Sequence, residues 1–167
     1  HVVGPAAGRL ACGDIGYGRM EEPAVIVEAV QDLLHARKDY AGKRLIVTAG
    51  PTREAIDPVR YISNHSSGKM GFAVAQMAKR RGAEVTLIHG PVSLTPPYGV
   101  HCVEVETTEQ MMHALLERLD ACDMLVKCAA PADFRAAYPS DHKIKKTQNA
   151  ALTLDLIANP DILAAVA

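Results

Sequence analysis

Four short apolar runs, separated by helical periodicity or turn-rich connections, are the feature that most constrains this chain. Leu45-Ile46-Val47, Glu84-Val85-Thr86-Leu87-Ile88, Val100 to Val105 and Met124-Leu125-Val126 read as strands buried on both faces, as in a parallel sheet. After the first run, Phe72, Val74, Ala75 and Ala78 recur at helical spacing, and Lys79-Arg80-Arg81-Gly82 closes that helix with basic residues and a glycine stop. Thr107-Thr108-Glu109 opens a second helix carrying Met111, Met112, Leu115, Leu116 and Leu119. Such alternation predicts an α/β fold with a mostly parallel sheet and ligands outside the carboxyl ends of its strands.

The flanks are less regular. Residues 1–20 hold Gly4, Gly8, Gly13, Gly16 and Gly18 and read as a flap with little to bury. Glu21-Glu22-Pro23 then starts a helix whose apolar positions, Val25, Ile26, Ala29, Val30, Leu33 and Leu34, carry it to about Arg37. Asp39-Tyr40-Ala41-Gly42 is a turn, so residues 1–40 form a flap and linker helix and residues 41–167 a second unit. In the final third, Leu152-Thr153-Leu154 reads as a strand, and Asn159-Pro160 as the N-cap and first residue of a helix. The expected architecture is a Rossmann-like three-layer α/β sandwich, preceded by the flap and linker helix.

Composition narrows the function. With 49% apolar residues among 167, the chain can bury a real core. A net charge of -1 gives no reason to expect nucleic acid, so any attraction for phosphate has to be local. No apolar run approaches the roughly 20 residues that span a bilayer, and no membrane partner is expected. Cys12, Cys102, Cys122 and Cys128 form no CxxC pair, which suits reduced thiols in the cytoplasm and gives no zinc site. Cys12 alone sits in a polar, Gly-rich setting; the other three border apolar runs. The start, His1-Val2-Val3-Gly4-Pro5, reads as the middle of a larger protein rather than a leader.

Function is expected in the long polar connection from Gly50 to Gly71, directly after the first strand. Ser66-Ser67-Gly68-Lys69 invites comparison with a phosphate-binding P-loop, but Ser63 and Met70 stand where that motif needs Gly and Ser or Thr. Gly50-Pro51-Thr52-Arg53-Glu54 also lacks the glycine fingerprint of a nicotinamide site. Ser66 and Gly68 at a helix start suit either an anion or ordinary capping. Arg60 and Asn64, four apart, would face the same way on a helical turn, as an oxyanion grip or as a structural pair. Extended Lys143-Ile144-Lys145-Lys146 would send two lysines to one face, for a triphosphate or merely for solvent. Asp133 either binds a ligand amine or hydroxyl or caps a turn.

Thr48-Ala49-Gly50-Pro51-Thr52-Arg53-Glu54, the run Asp57 to Gly71, Ala129-Ala130-Pro131-Ala132-Asp133, Lys143-Ile144-Lys145-Lys146 and Asn159-Pro160-Asp161-Ile162 together resemble the bacterial phosphopantothenoylcysteine synthetase domain of coenzyme A biosynthesis. Gly4-Pro5, Ala11-Cys12-Gly13-Asp14 and Gly16 to Met20 resemble the substrate flap of the phosphopantothenoylcysteine decarboxylase that precedes it in bacteria. The chain thus resembles the junction of a bifunctional protein, with the flavin-binding body upstream and a nucleotide-covering segment downstream.

The resemblance implies a CTP- and Mg²⁺-dependent ligation of 4′-phosphopantothenate with L-cysteine through an acyl-cytidylate, releasing pyrophosphate and CMP. By motif position, Asn64 would stabilise the acyl-cytidylate or its breakdown, Arg60 would assist the second step and Lys143 would bind the triphosphate. Ala129, Ala130, Asp133, Asn159, Pro160, Asp161 and Ile162 would form the cytidine pocket, with Lys127 and Cys128 as further substrate- or nucleotide-binding residues. No metal ligands are assigned. Cys12 would be the proton donor of the decarboxylase, FMN being needed only with the upstream domain. A homodimer through the synthetase unit and a higher oligomer through the decarboxylase are further expectations. The alternative is a catalytically incomplete assembly fragment that contributes its flap to the flavin-dependent decarboxylase.

Overall fold

The computed structural model describes residues 1–35, 37–146 and 151–166. The flap is a β-hairpin: β1 (Ala6–Arg9) pairs antiparallel with β2 (Ile15–Arg19). Its turn closes through Leu10 N–H to Asp14 O at 2.8 Å and Gly13 N–H to Leu10 O at 2.9 Å. Gly13 sits there at φ 95°, a conformation open to glycine at little cost. Helix α1 (Pro23–Leu34) follows, with Pro23 at its first position as expected. It stops short of the expected Arg37, because His35 is extended and Lys38 turns the chain, its ammonium donating to the carbonyls of Asp32 and Arg80 at 2.8 Å each.

Along the rest of the chain come β3 (Arg44–Ala49), β4 (Arg53–Ala55), β5 (Tyr61–Ser63), α2 (Lys69–Arg80), β6 (Glu84–His89), β7 (His101–Glu104) and α3 (Thr108–Leu119). They are followed by β8 (Met124–Lys127), β9 (Phe134–Ala136), β10 (Leu156–Ala158) and α4 (Ile162–Ala165). The four expected strands form one parallel sheet in the order β7-β6-β3-β8.

Alternation along β3 and β6 sends side chains to opposite faces of this sheet. Leu45, Val47, Ala49, Val85 and Leu87 pack against Phe72, Ala75 and Ala78 of α2. Ile46 and Ile88 pack against Met111, Ala114 and Leu115 of α3, together with Ile162 of α4. The result is the expected three-layer α/β sandwich. Leu87 and Leu115 are fully buried, and each such side chain contributes about 2 kcal/mol through loss of apolar surface from water. Helix α3 starts on a reciprocal cap, in which Thr107 Oγ1 accepts from Gln110 N–H at 3.2 Å and Gln110 Oε1 accepts from Thr107 N–H at 3.2 Å.

Two short antiparallel ribbons depart from the expectations. Within the long connection, β4 pairs with β5, joined by a turn in which Ile56 N–H donates to Arg60 O at 2.8 Å. Beyond β8, β9 pairs with β10, with Leu156 opposite Ala136. The expected strand at Leu152-Thr153-Leu154 is therefore displaced to Leu156–Ala158, where β9 supplies the ladder. Asn159 is not the cap of the last helix either. Asp161 is, its carboxylate accepting from Leu163 and Ala164 N–H at 2.8 and 3.1 Å.

The topology fixes where a crevice forms. From β3 the chain passes through α2 to β6 and on to β7, then returns through α3 to β8 on the other side of β3. The order reverses between β3 and β8, and loops leaving the carboxyl ends of these two strands face each other. No helix among the described residues is long and apolar enough to cross a membrane.

Candidate functional site

At the β3–β8 reversal the two loops are stitched backbone to backbone. Cys128 N–H donates to Thr48 O at 3.0 Å and Ala130 N–H to Gly50 O at 2.8 Å, and Pro51 bridges Ala130 in parallel fashion. Ala129 N–H reaches Thr48 Oγ1 at 3.4 Å. A Cβ on Gly90, after β6, would lie 1.6 Å from Pro51 O, so only glycine lets the β6 loop approach the β3 loop.

Asn64 and Arg60 do not share a helical turn. Strand β5 runs between them, and the two side chains serve different neighbours. The Asn64 amide donates to Ala130 O at 3.3 Å and Pro131 O at 2.9 Å. Arg60 pairs with the buried Asp57 carboxylate, through Nη2 at 2.5 Å and Nε at 3.1 Å, and also donates to Ile144 O at 2.8 Å. Ile144 N–H donates back to Asp57 Oδ2 at 3.0 Å, while Val59 and Arg60 N–H bond Oδ1. The Arg60 guanidinium, helped by these backbone donors, holds the Asp57 carboxyl far below the usual carboxylate range. Asp57 thus ties the lysine segment to the loop through Ile144, rather than through the Lys143 side chain, which is exposed.

Beneath the crevice lies a buried polar chain that the sequence reading missed. Ala132 N–H donates to Thr52 Oγ1 at 2.9 Å, Thr52 and Thr108 hydroxyls are 2.9 Å apart, and Thr108 Oγ1 is 2.8 Å from Glu54 Oε1. A hydroxyl has one proton and the carboxylate oxygen is an acceptor, so Thr108 donates to Glu54 and Thr52 donates to Thr108. Glu54 Oε1 also accepts from Thr108 N–H at 2.9 Å, at the start of α3. Thr52, Glu54 and Thr108 are all buried. Asn159 joins from just beyond β10, donating to Ala132 O at 2.8 Å and accepting from Arg135 Nη1 at 2.8 Å. The signal was present in the sequence only as a threonine and a glutamate in a loop motif; their partner Thr108 lies 54 residues beyond Glu54.

The remaining expected residues are dispersed around this frame. Asp133 engages through its backbone, its carbonyl accepting from Asn159 N–H at 2.8 Å, with an exposed side chain. Lys127 is exposed at the end of β8, and its charge adds to the Ala164 and Leu163 N–H groups that lower the Asp161 carboxyl. Pro160 is half-buried and Ile162 fully so. Ser66 Oγ accepts from Gly68 N–H at 3.4 Å, a local turn ahead of α2, whose N-cap position is Gly68. A cavity of about 370 Å³ opens beside Asn64, lined by Pro51, Arg53, Tyr61, Ser63 and His65, with the Arg53 guanidinium 4.6 Å over the Tyr61 ring. Among the described residues no group of three or more His, Cys, Asp or Glu side chains gathers for a metal ion.

Cys12 is elsewhere. It sits at the exposed turn of the hairpin, its thiol 3.6 Å from Asp14 Oδ2, and the hairpin strands pair with no other strand.

Both settings lie in sequence that matches known proteins. A family described as the DNA/pantothenate metabolism flavoprotein C-terminal domain matches residues 40–167. The chain belongs to this family. Beyond this flavoprotein C-terminal domain, the chain is 50% identical over 165 residues to the coenzyme A biosynthesis bifunctional protein CoaBC of Vibrio cholerae, a match covering 98% of the chain and 41% of that relative. It thus spans about two fifths of the length of the curated relatives it matches. The crystal structure of the C-terminal domain of a coenzyme A biosynthesis bifunctional protein CoaBC is 42% identical with a TM-score of 0.67, over 77% of this chain and 60% of that one. The DNA/pantothenate metabolism flavoprotein of Streptococcus pneumoniae is 26% identical with a TM-score of 0.66, over 74% of this chain and 63% of that one.

The flavoprotein description corrects one expectation. CTP-dependent ligation, with CTP and Mg²⁺ as principal cofactors, is not what the matched family names; it names a flavoprotein, which favours the decarboxylase alternative. In the structure the Asn64 amide is bonded to Ala130 O and Pro131 O, Arg60 to Asp57 and Ile144 O, and the Lys143 side chain is exposed.

Proposed function

We propose that this chain contributes the substrate flap of a flavin-dependent phosphopantothenoylcysteine decarboxylase within a bifunctional protein of coenzyme A biosynthesis. The position of Cys12 carries the reading. A thiol on the exposed turn of a hairpin that is tethered to the body through α1 is suited to reach a substrate held by another part of the protein. Its Sγ–H is a short-range acid for a carbanion-like centre, and the Asp14 carboxylate 3.6 Å away orients that hydrogen. Ile15, Tyr17 and Met20 are exposed on the same hairpin and provide apolar cover against water.

The hairpin offers a thiol, a carboxylate and apolar side chains, a donor set that does not fit the binding of FMN. Holding the flavin is assigned to the upstream part of the whole protein. The ligand class of the β3–β8 edge is the phosphorylated pantothenate moiety, supported by Arg53 and His65 around the cavity beside Asn64. The expected homodimer through residues 41–167 is supported by exposed Phe134, Leu156 and Ile157 on the β9–β10 ribbon.

The test is Cys12→Ser in the full-length bifunctional protein. Formation of the decarboxylated product should fall by about 10² or more, with carbon dioxide release and flavin absorbance retained. Product formation at the wild-type rate would remove the role assigned to Cys12.

A further inference from the structure

A second cavity, of about 430 Å³, lies between α1, α2 and the β6–β7 connection. Its walls are mainly apolar, with Phe72 and Ala73 from α2, Val25 from α1 and Leu94 from the connection, and the charged side chains in its lining are Glu28 and Lys69. The α1 wall precedes the residues matched by the family and the other walls lie within them, so the groove sits at the boundary of two units, a frequent location for ligand sites.

The charges around it are unequally committed. Glu28 accepts from the Gln76 side-chain amide at 2.6 Å, and farther along the same helix pair Arg80 is bound to Asp32 and Gln31 at 3.0 and 2.6 Å. Lys69, at the opposite end of the groove from these contacts along α2, makes no hydrogen bond or ion pair among the described residues. An apolar trough with one uncommitted ammonium selects a molecule with a hydrocarbon body and a negative head; a cation or a fully polar ligand would leave either the walls or the lysine without a counterpart.

We propose that this groove binds an amphiphilic monoanion, with its carboxylate at Lys69 and its chain along Phe72, Ala73 and Leu94. The site is separate from the Cys12 hairpin, so the proposal does not depend on the decarboxylase reading. A ligand there touches α1 and α2 at once and adds to the polar contacts that already hold the linker helix to the sheet domain.

The probe is decanoate, titrated into the whole chain below its micelle concentration and followed by calorimetry and methyl chemical shifts, with decanol as the uncharged control. Saturable binding at one site is expected. Ala73→Trp and, independently, Ala24→Trp fill the groove from exposed helix positions and should abolish it, with unchanged circular dichroism. Lys69→Gln should weaken decanoate about fivefold and leave decanol unchanged. Absence of saturable binding, binding that survives both tryptophan variants, or decanoate affinity indifferent to Lys69→Gln would each overturn the proposal.

Discussion

The side-chain amide of Asn64 spans two successive carbonyls of the facing loop, 3.3 Å from Ala130 O and 2.9 Å from Pro131 O. One side chain after β5 thereby fixes the loop after β8, across the point where the strand order reverses. Asn64→Asp removes both donors and turns a carboxylate toward two carbonyls. A loss of about 1–2 kcal/mol is expected at neutral pH, measured by urea denaturation. The deficit should shrink in acid, where the protonated aspartate regains one donor.

The hydroxyl chain from Thr52 through Thr108 to Glu54 is buried and fully paired. Thr108→Val keeps the shape but leaves Glu54 without its hydroxyl donor and Thr52 without an acceptor, costing about 2 kcal/mol. Thr107→Ala, which removes only a helix cap, should cost about 1 kcal/mol. Equal losses for the two variants in chemical denaturation would contradict the relay.

Asp57 gives the fold an acid limit. The Arg60 side chain, then the N–H groups of Ile144, Val59 and Arg60, depress its folded carboxyl below the unfolded value. That stability is present above about pH 4 and is lost as pH falls through the folded value. Asp39, lowered to about 2 chiefly by the Arg81 side chain, acts in the same sense between the α1–β3 turn and the end of α2. Melting temperature should decline from about pH 4 downward. Asp57→Asn should flatten part of that decline and leave the share due to Asp39.

Gly90 tests the close approach of the loops. Because a Cβ would stand 1.6 Å from a backbone oxygen rather than a flexible side chain, Gly90→Ala has no inexpensive relaxation. A loss of about 3 kcal/mol or more is expected, or failure to accumulate as folded protein. By contrast, Gly42→Ala meets no neighbouring atom, and its cost is confined to the backbone strain of φ 74°.

The four sheet strands and the three long helices were legible because their signals are local. Continuous apolar runs such as Leu45-Ile46-Val47 need burial on both faces, and Phe72, Ala75 and Ala78 fall on one helical stripe. The ribbons β4–β5 and β9–β10 were not legible, since Arg53-Glu54-Ala55 and Phe134-Arg135-Ala136 have no strand periodicity of their own and become strands only by pairing. For the same reason the expected strand at Leu152–Leu154 moved to where β9 provides a ladder, and the cap of α4 moved from Asn159 to Asp161. Asn159 is drawn away by hydrogen bonds to Ala132 and Arg135, residues far off in sequence.

By itself the sequence determined the α/β architecture, the flap ahead of it and the Gly50–Gly71 connection as the place where polar residues gather. These follow from periodicity, glycine content and charge, which are properties of neighbouring residues. Only the tertiary structure decided what those polar residues do: Asn64 holds Ala130 and Pro131, Arg60 serves Asp57 and Ile144, and Glu54 anchors a hydroxyl chain to α3. The physical reason is that a donor's partner is set by which loops the strand order brings together, and β3 and β8 meet only after the chain has passed through α2, β6, β7 and α3.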